Sequence, residues 1–384
     1  MNSTLIREPL TVAFEEKSPF KETYGGADVV VLDGQHLHLG EKRRIVLLFM
    51  HPTGVMNHLP LSVALARAGT PVLTVASRYP HNDTALIMEK VALDMGRWVR
   101  YAIERLGYQG VVLAGWSGGG SLSLFYQAQA EAPSIEATPA GDPVDLVGAG
   151  LIPAVGVMQL AAHVSRSGTL AEWIDPAIGD ELAPYKRNAD FDIYGDPPAA
   201  AAPFSAAFQN AYRAAQRARI ARIDAFVDDK LGWLRAKGRA NDEHSFVVHG
   251  TMADLRWLDP AIDPNDRVPG RCYMGDPQVV NMSPAHLARF TSLRSWLSQW
   301  SSRSRAHGPD CAATISVPAL VIENSADDAC TPSHAARIVA GFKRVTPAFH
   351  RIAGANHYYL GQREKAAEAI GIMQDWLRTQ GWAH

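Results

Sequence analysis

The chain has 384 residues, a net charge of −2 and a pI near 6.7, enough length for a large core and no basic field to hold nucleic acid or an anionic membrane. No apolar run is long enough to cross a bilayer, and the first twenty residues carry acids early without the apolar stretch of a signal or transit peptide. Three widely spaced cysteines lack Cys-x-x-Cys or Cys/His spacing, against a disulfide framework or a zinc site and in keeping with a reducing cytoplasm, and no motif calls for a metal or an organic cofactor.

Strand and helix signals alternate through the first half. Residues 27–32 (ADVVVL) and 45–50 (IVLLFM) read as strands, the second apolar enough to be buried on both faces. A helix over 59–68 ends at Gly69, and 71–76 (PVLTVA) is the next strand. Asn82, Asp83 and Thr84 supply N-cap chemistry for a helix over 85–106, closed by Gly107. Strand 111–114 then runs through Gly115-Trp116-Ser117-Gly118-Gly119 into a helix over 118–131, and 146–152 (LVGAGLI) is a further strand stopped by Pro153. This alternation predicts an α/β fold, a mostly parallel sheet flanked by helices.

The pattern breaks after Gly156 and returns near Val317. The reading divides the chain into a first core part at 1–156, a mainly helical cap at 157–311 and a second core part at 312–384. The cap holds a long helix over 203–236, where Tyr212, Ile220, Ile223, Val227, Leu231 and Leu234 share one face. Its many aromatic residues build its own core and favour an apolar substrate group. Arg213, Arg217, Arg219 and Arg222 form no single stripe and read as a solvated surface. Segments 252–270 and 291–301 have unusual composition without an assignable role. In the last stretch, strand 319–323, a helix after Pro332, strand 348–352 and a final helix complete the sheet.

The glycine-flanked Ser117 at a strand-to-helix junction has the form of a nucleophile elbow, in which a tight turn exposes the serine and the next amide, that of Gly118, faces the reacting oxygen. No Walker lysine follows and GxGxxG is absent, against a phosphate loop. The strand at 45–50 leads into His51-Pro52-Thr53-Gly54, whose Thr53 amide is the expected second oxyanion donor. His51 and Trp116, flanking this turn and the serine, are the expected substrate contacts. Among the 14 histidines, His357 sits on a loop just after the last strand, where a general base belongs. Asp327 and Asp328 both follow strand 319–323 and compete as the carboxylate partner, with an Asx turn the alternative role for Asp327.

The order serine, acid, histidine, each after a strand of a parallel sheet, resembles the α/β-hydrolase superfamily over residues 27–155 and 312–384. Acids of that superfamily commonly precede a proline by four positions, so the resemblance implies Asp328, ahead of Pro332, as the acid. His-Pro-Thr-Gly stands where many members read His-Gly-X-Gly. The resemblance implies a serine hydrolase that cleaves a carboxylic ester, lactone or thioester of an apolar small molecule through Ser117, His357 and Asp328. The alternatives are an acyltransferase of the homoserine acetyltransferase type, a carbon–carbon bond hydrolase of aromatic or steroid catabolism, and a ligand-binding protein on the same scaffold. The implied partner is a small-molecule substrate; a homodimer through the cap is compatible with the pattern, though nothing demands it.

Overall fold

The computed structural model describes residues 4–17, 28–41 and 43–382. Among these residues ten strands appear in chain order: β1 (Ile6–Glu15), β2 (Val29–His38), β3 (Ile45–Met50), β4 (Val72–Val75), β5 (Gly110–Ser117), β6 (Gly156–Ala162), β7 (Ser245–Val247), β8 (Phe290–Ser292), β9 (Ala319–Asn324) and β10 (Ala348–Ile352). Eight of them form one sheet in the order β1-β2-β4-β3-β5-β6-β9-β10, and β7 pairs with β8 separately. β1, β2 and β4 meet antiparallel, and every later pairing in the large sheet is parallel. The strand expected at 27–32 is β2, with Ala27 outside the described residues.

The sheet is covered on both faces, as continuous apolar strands require. Alternate residues of β3 point to opposite layers. Leu47 and Phe49 pack with Leu61 and Leu65 of helix α1 (Pro60–Arg67) and with Met373 and Trp376 of the C-terminal helix Arg363–Thr379. Val46, Leu48 and Met50 pack with Val91, Met95 and Trp98 of α2 (Met88–Glu104) and with Leu122 and Phe125 of α3 (Gly118–Glu131).

Two sequence expectations are corrected here. The strand read at 146–152 is not one: Gly148 and Gly150 interrupt it, Gly150 at φ +60°, and the strand beside β5 is β6. Its buried Gln159 masks an otherwise apolar run. The strands of the large sheet therefore continue to Ala162 before the long segment ahead of β9. Likewise α2 starts at Met88 rather than 85, because Asn82 accepts the Thr84 N–H in a local turn (3.1 Å) and Asp83 pairs with Arg166 at 2.5 Å.

Between β6 and β9 the chain forms α4 (Arg166–Trp173), the 31-residue α5 (Ala206–Ala236), the β7–β8 pair and several short helical turns. This segment has its own core. Ile220, Ile223, Val227, Leu231 and Leu234 of α5 pack with Leu170, Trp296 and Trp300. The arginines of α5 are less solvated than the sequence suggests. Arg219 is fully buried on the carboxylate of Glu181, and Arg213 reaches Asp254 at 2.8 Å. No helix among the described residues is long and apolar enough to cross a membrane.

Candidate active site

β5 runs directly into α3 through Ser117, which has φ 54° and ψ −125°, a conformation that costs a non-glycine residue strain and persists only where its surroundings enforce it. The neighbouring glycines allow the turn. A Cβ on Gly115 would lie 2.6 Å from the Gly119 carbonyl oxygen, and one on Gly119 would lie 2.4 Å from the Met50 carbonyl oxygen. Gly118 opens α3, so its N–H has no intrahelical acceptor and adds to the positive end of the helix dipole.

His357 comes to Ser117 from the loop after β10. The Ser117 hydroxyl lies 3.1 Å from His357 Nε2, and Nδ1 donates to Asp327 Oδ2 at 2.7 Å. Asp327 is fully buried, and its other oxygen, Oδ1, accepts the N–H groups of Ala329 and Cys330, each at 2.8 Å. The carboxylate therefore closes an Asx turn with one oxygen and orients the imidazole with the other. Asp328, the residue expected there, has no hydrogen bond to His357; its backbone carbonyl accepts from Trp257 Nε1 at 2.7 Å. The turn begun by Asp327 N–H on Asn324 O (3.1 Å) aims the first aspartate inward and the second away.

Segment 252–270, whose role the sequence left open, is a strap across this acid loop. Asn265 Nδ2 donates to Asp327 O at 2.7 Å, Arg256 Nη1 donates to Thr331 Oγ1 at 2.8 Å, and Asp266 bonds Ser325 through both backbone and side chain. Trp116 has a bracing role too: its Nε1 donates to the His357 carbonyl at 3.1 Å and its ring lies 4.7 Å from the imidazole.

Burial, and then Asp327 beside it, push the Asp328 carboxyl up to about 6. A carboxyl raised in the folded state binds its proton more tightly there than in the unfolded chain. It therefore costs no stability below about pH 4 and its full amount once the pH passes about 6. Asp328→Asn is accordingly expected to stabilise the protein by about 1–2 kcal/mol at pH 8, with the gain vanishing near pH 4. Urea midpoints at the two pH values check this, and an equal effect at both would contradict it.

The turn after β3 departs from expectation. The N–H groups of Thr53 (3.2 Å) and Gly54 (2.8 Å) both donate to His51 Nδ1, so the Thr53 amide is turned onto a side chain and not toward Ser117. Accepting two N–H groups leaves Nδ1 without a proton. Burial, followed by the charges of Arg166 and His357, pushes the His51 pKa down to about 3, so the ring is neutral. Its one proton then sits on Nε2. That atom borders Gly118, where an added Cβ would lie 2.6 Å from it. The imidazole of His51, not the amide of Thr53, thus presents a donor beside Gly118.

These groups line a cavity of about 700 Å³ that holds His51, Ser117, Gly118 and His357 at one wall and Trp173, Tyr273, Phe290 and Trp300 around it. His163, directly after β6, also faces it. Placing the end of that strand correctly would have pointed to His163 from sequence. Arg166 stacks on Trp300 at 4.2 Å with its charge answered by Asp83. Behind the wall, His163, Cys330 and His334 bring donor atoms within 4.8 Å of one another. Burial holds the Cys330 thiol well above its usual range, His163 Nδ1 is bonded to Thr169, and His334 Nε2 to Glu172.

No family model matches the chain, and no curated protein matches it in sequence. Solved structures do match it. DcsB, in complex with its substrate analogue, is 12% identical with a TM-score of 0.52, covering 97% of this chain and 99% of that one. The α/β hydrolase GrgF from Penicillium sp. sh18 is also 12% identical with a TM-score of 0.52, covering 97% and 98%. At that identity the likeness is one of fold, and this chain has the α/β-hydrolase fold.

Proposed function

We propose that this protein is a serine hydrolase that cleaves a carboxylic ester, or the related lactone or thioester, through an acyl-enzyme. The observation that carries this reading is the continuous chain Asp327–His357–Ser117, with contacts of 2.7 and 3.1 Å, ending on a strained turn at the wall of a substrate-sized cavity. His357 Nε2 takes the hydroxyl proton as Ser117 Oγ bonds to the carbonyl carbon. Asp327 stabilises the imidazolium, and the oxygen's developing negative charge is met by the Gly118 N–H and the His51 Nε2–H. His357 then gives its proton to the departing alcohol. Water repeats the sequence to release the acid and restore Ser117. The apolar aromatic walls suit an apolar acyl or alcohol group.

The test is intact mass after incubation with a small fluorophosphonate. One adduct is expected on the wild type and none on Ser117→Ala. A folded wild-type protein that stays unlabelled, or a Ser117→Ala protein that labels equally, would remove the basis for this reading.

A further inference from the structure

The same cavity holds a cation that the reaction does not use. Arg289 stands just before β8, only 3% exposed, and it lines the cavity together with His286. Its Nη2 donates to the Asn281 carbonyl at 2.9 Å, while Nε and Nη1 are buried with no hydrogen-bond partner among the described residues. Both ring nitrogens of His286 are in the same condition. The two side chains are held together by one turn, in which the Arg289 N–H donates to the His286 carbonyl at 3.1 Å, and Val248 N–H fixes the turn through the Arg289 carbonyl at 3.0 Å.

Among the described residues no carboxylate forms an ion pair with this guanidinium. The strongest charge acting on it is that of another arginine, Arg219, which is itself matched by Glu181. Burial, then Arg219, lower the Arg289 pKa to about 10, so it stays protonated at neutral pH; burial, then Arg289, hold His286 near 4 and therefore neutral. A buried, unpaired cation is expensive to maintain, and natural proteins pair such groups with an opposite charge or a ligand. The other arginine at the cavity, Arg166, already has Asp83. One unmatched positive charge beside one neutral imidazole donor suits a singly charged group better than a phosphate dianion.

We propose that Arg289 and His286 form a carboxylate-binding subsite of this cavity, so that the substrate is an ester carrying a free carboxylate away from the scissile bond. This rests on the hydrolase reading above. The carboxylate is met by the Arg289 guanidinium and the His286 ring, while the ester carbonyl lies at Ser117. The arginines of α5 are excluded from this role by their own partners, Arg213 by Asp254 and Arg219 by Glu181.

Two measurements separate the subsite from the chemistry. The first compares 4-nitrophenyl monoesters of linear dicarboxylic acids, from succinate to suberate, with the same compounds capped as methyl esters. The wild type is expected to favour the free acid of one chain length by at least about tenfold in kcat/KM. Arg289→Met is expected to lose that preference through KM while hydrolysing the methyl-capped esters as before. Equal use of free and capped esters at every length, or a preference retained in Arg289→Met, overturns the subsite but leaves the hydrolase reading standing. The second is calorimetric titration of Ser117→Ala with the same dicarboxylates, which requires no turnover. Saturable binding that Arg289→Met abolishes supports the subsite even if no ester is cleaved. No binding at any length, or binding unchanged by Arg289→Met, overturns it, and inorganic phosphate binding more tightly than every dicarboxylate overturns the carboxylate assignment.

Discussion

Asp327→Asn is expected to lower kcat about 10⁴-fold on an activated ester, while Asp328→Asn leaves it within about threefold. The asparagine keeps an oxygen for the Ala329 and Cys330 N–H groups, so the acid loop retains its turn. What changes is the atom facing His357 Nδ1. An NH₂ group there donates where the carboxylate accepted, and the imidazole turns to the tautomer with its proton on Nε2, facing Ser117. A ring in that state cannot take the serine proton. It also lacks the negative charge that stabilises the imidazolium in the transition state. Asp328 has no such contact, and its neutralisation removes a buried charge that repels Asp327 and reaches His357 only through space. Steady-state kinetics of the two variants decide the matter, and a large loss in Asp328→Asn with little in Asp327→Asn would reverse the assignment.

That assignment marks the point where sequence pattern yields to backbone geometry. Two adjacent aspartates after one strand are equivalent by spacing, and a proline count favoured the second. The hydrogen bonds at Asn324, Ala329 and Cys330 turn the first one inward, and those bonds involve backbone atoms that no side-chain pattern encodes. By contrast Ser117 and His357 were legible because they sit where strands end, and strands as apolar as β3 and β5 announce themselves. β6 was misplaced by ten residues because Gln159 lies buried within it, and with the strand went His163 at its end. Least legible was the strap at 252–270. Its effect depends on long-range bonds to residues some 60 to 75 positions away, which composition does not reveal. Arg289 has no sequence signal of its own either. One arginine among many becomes distinctive only once the structure shows that no acid among the described residues meets it.

His51→Asn is expected to lower kcat by about 10²- to 10³-fold, with KM nearly unchanged. Asparagine isolates the donor. Its side-chain oxygen occupies roughly the place of Nδ1 and continues to accept the Thr53 and Gly54 N–H groups, so the turn after β3 is kept. Nothing then stands where Nε2 stood beside Gly118. The loss falls on kcat because the oxygen becomes an anion only in the transition state, where a preorganised N–H is worth most. His51→Gln, whose amide nitrogen reaches toward the Nε2 position, is expected to recover part of the rate. Gly118→Ala should act from the other side, because its methyl would fall 2.6 Å from Nε2 and push the ring out of place. With its pKa near 3, His51 is neutral throughout the working range, so the ratio of wild-type to His51→Asn rates should stay flat from pH 5 to 9. A ratio that varies with pH would mean that His51 titrates in the reaction. An unchanged kcat would return the second oxyanion donor to a backbone amide, and Thr53 would first have to release its bond to the ring.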